Sequence, residues 1–335
     1  MTTTAHSPPR GPRRARTGDR VALREGCAAL HLVVLSARWV RLAVVAAGAK
    51  TAGAAARSAG RAPINSGEFG ACLTTMADVQ VEVVVAHQDR ATLRAGDAFL
   101  KIDADQTNTD IEVEAMALAP IPTPEVLWRK PPVLALAALP GTALGRLGEP
   151  SPASPSAWAA AGAAARTLHD APLPSWRSRK LDGVAADLDA ECEWLVSSGF
   201  LPAEVVARNR EVAEAALRPW TPVFMHGDLQ PAHVFIDGDE VTGVLDWSEA
   251  GQGDGLFDLA GLTLGYPEHL DDVIAGYGVD VDRDVIRGWW SVRSLRAIRW
   301  LVEHGFDPAP ELAVLRCRRQ WIDAPAIPIT DQMCR

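Results

Sequence analysis

Cysteine is sparse and scattered. The five cysteines, Cys27, Cys72, Cys192, Cys317 and Cys334, include no Cys-x-x-Cys pair. A zinc site or a disulfide framework needs closely spaced or paired cysteines, so neither is expected to organise the fold, and a reducing, cytoplasmic setting is expected. Long apolar runs are missing too. Residues 26–37 give 12 uncharged positions before Arg38 interrupts them, whereas a membrane span needs about 18 or more, so no membrane partner is expected. Basic charge is thin over most of the chain: residues 76–335 carry 22 lysines and arginines against 39 acidic residues. Binding a phosphate backbone relies on clustered cations, so nucleic acid is not an expected partner either.

The 335 residues leave room for two lobes, each with its own core. Residues 1–75 differ from the rest in holding 11 basic residues against three acidic ones. Such asymmetry marks a tail attached to a folded body, and this stretch is expected to be a basic, disordered extension. The folded body is expected to begin near Met76, where an alternating strand pattern starts.

Residues 79–85 read Val-Gln-Val-Glu-Val-Val-Val, residues 91–95 form a second short strand, and Gly96-Asp97 turns the chain into a third at 98–102. This pattern predicts a three-stranded antiparallel meander. A helix capped by Thr109 or Asp110 and stopped at Pro120 should follow, and then a buried strand at 133–139. Beyond a Ser/Pro-rich linker at 150–156 the pattern turns helical, with segments at 157–169 and 182–216. A strand at 223–225, a hairpin around Asp237-Gly238-Asp239 and a long helix from Asp284 to His304 closed by Gly305 complete the body. Trp289, Val292, Ile298 and Trp300 on that helix are expected in the core. The fold class is therefore α+β. A small β-rich lobe at 76–141 precedes a larger, mostly helical lobe at 142–320, with a tail at 321–335.

One segment carries chemistry. His226-Gly227-Asp228-Leu229-Gln230-Pro231-Ala232-His233 lies between short apolar strands, and Leu245-Asp246-Trp247 follows, with Asp246 standing 18 residues after Asp228. Two carboxylates at strand-to-loop transitions suit metal-assisted phosphoryl transfer. One orients an acceptor hydroxyl and takes its proton, while the other holds magnesium against phosphate oxygens.

These residues resemble the aminoglycoside-phosphotransferase and choline-kinase-like family, whose fold is similar to that of protein kinases. The family's loop looks like His-Gly-Asp-Leu-His-Pro-x-Asn-Val and its metal loop like Ile-Asp-Trp/Phe-x-x-Ala. Here they read His226 to Val234 and Leu245 to Ala250, and Gly253-Asp254-Gly255-Leu256-Phe257-Asp258-Leu259-Ala260 matches a third family segment. The resemblance implies Asp228 as catalytic base, Asp246 as magnesium ligand and Lys101 as the contact to the nucleotide α/β-phosphates. Glu114 is the expected ion-pair partner of Lys101, with Glu112 as competitor. Magnesium and ATP or GTP are the implied cofactor and co-substrate. His226 is expected to support the loop, and Asp258 to accept backbone N–H groups where its helix opens.

Two departures stand out. His233 occupies the family's asparagine position, the second metal ligand, although imidazole suits hard magnesium poorly. It could face the metal through water, contact phosphate or mark a lost second metal. The turn His87-Gln88-Asp89-Arg90 has no glycine, so a glycine-rich phosphate lid is not visible. A metallophosphoesterase is excluded by the missing Asp-x-His and Gly-Asn-His segments, while a kinase-like binding module of weak or no activity remains the alternative. The resemblance implies a small hydroxylated acceptor, and the acidic residues Glu249, Asp254, Asp187, Asp189, Glu191 and Glu193 either serve an aminoglycoside or another amino-sugar or amino-alcohol or form plain solvated helix faces.

Overall fold

The computed structural model describes residues 80–317 apart from 88–89, 147 and 177–178. The basic extension at 1–75, the start near Met76, the centre of the glycine-free turn and the tail at 321–335 lie outside the described residues. All described elements belong to one unit that begins at Gln80.

The first lobe is an antiparallel sheet. Strands β1 (Val81–His87), β2 (Arg90–Ala95) and β3 (Ala98–Asp103) form the expected meander. The helix α1 (Gln106–Leu118) follows, and then β4 (Val126–Lys130) and β5 (Val133–Ala137). The sheet order is β1-β2-β3-β5-β4, so β3 is central. Lys101 lies mid-strand there, registered against Thr92 on one side and Leu134 on the other. The sequence reading did not anticipate β4.

Helix α1 starts earlier than expected. Its cap is Asp105, whose carboxylate accepts from the Thr107 N–H, and not Thr109 or Asp110. Asp105 stands directly before the first helical turn, where a short acceptor reaches orphan N–H groups. The buried residues of α1 are Thr109, Ile111, Glu112, Ala115 and Met116. Glu112 therefore points inward with its apolar neighbours, while Glu114, two residues on, turns to the opposite face and is exposed.

The second lobe opens with the short β6 (Thr142–Ala143) and the helix α2 (Pro155–His169), capped by Ser154. Helices α3 (Leu181–Ser197) and α4 (Ala203–Ala213) follow, and then β7 (Val223–Met225). The β8–β9 hairpin (Val234–Asp237, Glu240–Val244) and β10 (Gly251–Gly253) come next. Helices α5 (Gly255–Thr263), α6 (Leu270–Tyr277), α7 (Arg283–Glu303) and α8 (Ala309–Cys317) complete the described chain. β7 pairs with β10, and β8 pairs with both β9 and β6. The loop 226–233 is thus held between two paired strands, with residue 246 just beyond β9.

Helix α7 runs through the lobe's core. Trp289, Val292 and Ile298 are buried as expected, but Trp300 is 48% exposed. Its ring stacks between His304 and Phe306 near the helix end, with centroids 4.4 and 5.5 Å away, so it covers the terminus instead of entering the core.

Candidate active site

Lys101 is the first fixed point. Its ammonium donates to Glu112 Oε1 at 2.6 Å and to Asp246 Oδ1 at 2.9 Å. The partner on α1 is therefore Glu112, and the assignment of Glu114 is corrected: helical periodicity places Glu112 on the buried face beneath the sheet. Burial opposes the Lys101 charge, but the Asp246 and Glu112 carboxylates outweigh it and hold the ammonium above its ordinary range. Burial pushes the Glu112 carboxyl up, and Lys101 opposes that. Glu112→Gln is expected to weaken nucleotide affinity about tenfold or more, the scale of a charge-assisted hydrogen bond. Glu114→Gln should leave it unchanged, and nucleotide titration of both variants checks the assignment.

Asp246 has φ 60°, the left-handed region, and stands alone among the described non-glycine residues in having positive φ. Backbone held there by its surroundings is a mark of a functional position. Burial would raise its carboxyl, yet Lys101, His233 and Arg90 hold it far below the usual carboxylate range. Arg90, expected to close the turn and found at the start of β2, donates to Asp103 Oδ2 at 2.9 Å and lies 3.9 Å from Asp246.

The loop carrying Asp228 is anchored from below. Asp258 accepts from the His226 N–H at 2.7 Å and the Gly227 N–H at 2.9 Å, and its Oδ2 lies 3.1 Å from His169 Nε2. Asp258 does accept backbone N–H groups, but those of the Asp228 loop, while the helix α5 is capped by Asp254. Gly227 has φ 85° and a Cβ there would meet Glu249 O at 2.2 Å, so glycine is required on both counts. His226 donates from Nε2 to Leu245 O at 2.9 Å, while its Nδ1 accepts from the Asp228 N–H at 3.2 Å. The buried ring, whose pKa burial pushes down, ties the Asp228 loop to the Asp246 loop.

Asp228 is held on both oxygens. Arg293 from α7 donates to Oδ1 at 2.7 Å, and the Gln230 amide donates to Oδ2 at 3.0 Å. Burial would raise the Asp228 carboxyl, but Arg293 and His233 bring it below its ordinary value. The acid is therefore held ionised, a hydrogen-bond acceptor facing the site. His233 stands between the two carboxylates: its Nδ1 donates to the Asp228 backbone carbonyl at 2.9 Å and lies 3.7 Å from Asp228 Oδ2, while Nε2 lies 4.0 Å from Asp246 Oδ2. Its Nε2 also lies 3.3 Å from the Gln230 amide nitrogen.

The structure thus brings together Lys101, Asp228, His233 and Asp246, and leaves Glu114 outside. Arg293, Arg90 and Gln230 join them. Among the described residues no group of three or more His, Cys, Asp or Glu side chains forms a metal cage. Asp246 offers a partly exposed carboxylate in the cleft, and that donor fits magnesium, which keeps several waters and takes one or two carboxylates plus substrate phosphates. The acidic candidates for acceptor binding are mostly paired. Asp254 accepts from Trp289 Nε1 at 2.9 Å. Glu249 faces Arg179 at 3.6 Å, Asp187 faces Arg296 at 3.9 Å, Asp189 faces Arg210 at 3.0 Å and Glu191 faces Arg299 at 3.7 Å. Glu193 is exposed. No helix of the described residues is long and apolar enough to cross a membrane.

The sequence profile of the "Phosphotransferase enzyme family" matches residues 87–291. Among curated proteins there is no match. Solved structures share the fold. A choline/ethanolamine kinase family protein from Mesorhizobium loti is 20% identical, covering 77% of this chain and 95% of its own, with TM-score 0.54. A macrolide 2'-phosphotransferase type I is 19% identical over 76% and 99%, with TM-score 0.55. An aminoglycoside 2'-phosphotransferase in complex with GDP is 17% identical over 76% and 98%, with TM-score 0.55. At such identities the likeness is one of fold.

Proposed function

The chain belongs to the phosphotransferase enzyme family, and on that premise we propose that it moves the γ-phosphate of ATP or GTP onto a hydroxyl of a small molecule. The observation that carries the proposal is the convergence of Lys101, Asp246 and Asp228 on one cleft, with Lys101 bonded to Asp246 at 2.9 Å and His233 spanning the two carboxylates.

Each residue has a role that follows from its surroundings. Lys101, steadied by Glu112, would meet the nucleotide phosphates, and Arg90 lies close enough to Asp246 to add charge there. Asp246 would hold magnesium, which when bound neutralises charge on the phosphate oxygens. Asp228 would accept a hydrogen bond from the acceptor hydroxyl and take its proton. As the new O–P bond forms, the bond to the bridging oxygen breaks and the nucleoside diphosphate leaves. An Asp228 carboxyl held below its ordinary range by Arg293 and His233 is a weak base. Its main service is therefore orientation, with the proton arriving late, as a loose transition state allows. His233 would serve as a hydrogen-bonded spacer between the carboxylates, leaving the ion to oxygen donors.

The test is nucleotide consumption by the full chain over a panel of hydroxylated acceptors, with Asp228→Ala as the blank. Acceptor-dependent nucleoside diphosphate release above that blank supports the reading. Tight MgATP binding with no transfer to any acceptor would support the binding-module alternative.

A further inference from the structure

The side of the site away from Lys101 carries guanidinium groups, which sequence order alone does not reveal. Arg179, from the segment before α3, and Arg293, from α7, both lie over the Phe257 ring, at 4.5 and 4.8 Å from its centroid. Arg293 reaches Asp228 itself, and Arg179 Nη2 donates to the carbonyl of neighbouring Gly227 at 3.5 Å. Arg296 stands one turn beyond Arg293 on α7. The two ring-stacked arginines keep 22% and 17% of their side chains exposed.

The carboxylates facing this group are Glu249, Asp187, Asp228 and the buried Asp258, and each already has a partner. Glu249 faces Arg179, Asp187 faces Arg296, Asp228 binds Arg293, and Asp258 is spent on the loop N–H groups and His169. Two of these pairs are loose, since Glu249 stands 3.6 Å from Arg179 and Asp187 stands 3.9 Å from Arg296, both beyond a direct hydrogen bond. Burial pushes Arg179 down to about 10, and the neighbouring Arg296 and Arg293 add to the shift while Glu249 and Asp258 oppose it. A guanidinium keeps its proton in this range, so Arg179 remains a cation whose nearest carboxylate is out of hydrogen-bond reach.

Resting on the phosphotransferase reading, we propose that Arg179 and Arg293 bind an anionic group of the acceptor, so that the substrate is a hydroxylated carboxylate or phosphate ester and not a polycationic amino-sugar. A stacked guanidinium keeps its in-plane N–H fork, which suits both anions. A cationic acceptor would meet two arginines beside the base. The anion's hydroxyl would sit at Asp228, and the transfer balances as described above.

The experiment measures kcat/KM for the full chain with four acceptor sets: D-glycerate and D-gluconate; glycerol 3-phosphate and glucose 6-phosphate; neutral polyols; and amino-sugars. One anionic set should lead, and which one identifies the anion. Arg179→Gln should raise KM for it by about tenfold or more with a smaller change in kcat, and Arg179→Lys should recover part of the loss. A second reading uses phenylglyoxal, an arginine-directed reagent, whose modification of Arg179 the leading anions should slow. Preference for amino-sugars or neutral polyols, indifference of KM to Arg179→Gln, or no protection by any anion overturns the proposal. Nucleotide titration and the Asp228 blank report separately on the phosphotransferase reading.

Discussion

Asp246→Asn is expected to keep the fold and lose transfer on the order of a thousandfold, since it removes the carboxylate that would hold the metal. Asparagine is the suitable replacement because the backbone there has φ 60°, a region that asparagine tolerates better than alanine. Lys101 keeps Glu112 at 2.6 Å in the variant, so the cleft should not collapse. The check has two readouts: kcat, and binding of manganese as a spectroscopic stand-in for magnesium. Loss of rate with unchanged manganese binding would place the ion elsewhere.

Asp258→Ala is expected to lower stability by about 3–5 kcal/mol, the scale for removing one partner from a buried charged network. The carboxylate is fully buried, and its loss orphans the His226 and Gly227 N–H groups together with His169. Asp258→Asn keeps one acceptor oxygen and should lose less. Burial would raise the Asp258 carboxyl, but His169, His226 and the Gly227 N–H bring it below its ordinary value. A depressed folded pKa contributes stability that is present above the unfolded value of about 3.9. That contribution is lost as pH falls through the folded value. Thermal melts of both variants and the wild type against pH check this: the difference should shrink in acid.

Much of this was legible because its signals are local. The meander depends on alternation and a Gly-Asp turn, and Asp228 and Asp246 sit in short segments whose spacing survives without three-dimensional information. What failed depended on facing and distance. Choosing between Glu112 and Glu114 required knowing which side of α1 is buried, and that is set by packing between segments distant in sequence. Arg293 meets Asp228 across 65 residues, from a helix whose neighbouring positions read as core. Asp258 lies near the start of α5, so its position suggested service to its own helix, while its carboxylate reaches back to residues 226 and 227. The arginines that face Glu249, Asp187, Asp189 and Glu191 come from segments distant in sequence, so spacing alone left those carboxylates open as a ligand surface or as solvated helix faces. Residue type alone places Trp300 in the core, and its position near the helix end decides its exposure.

The central claim is that Asp228 receives the acceptor in a phosphoryl transfer, and single-turnover transfer by Asp228→Asn tests it most directly. The account predicts MgATP affinity within about twofold of wild type, because Asp228 is outside the Lys101–Asp246 grip, and a transfer rate lower by about a hundredfold to ten-thousandfold. Transfer at the wild-type rate, with nucleotide bound as before, would contradict it.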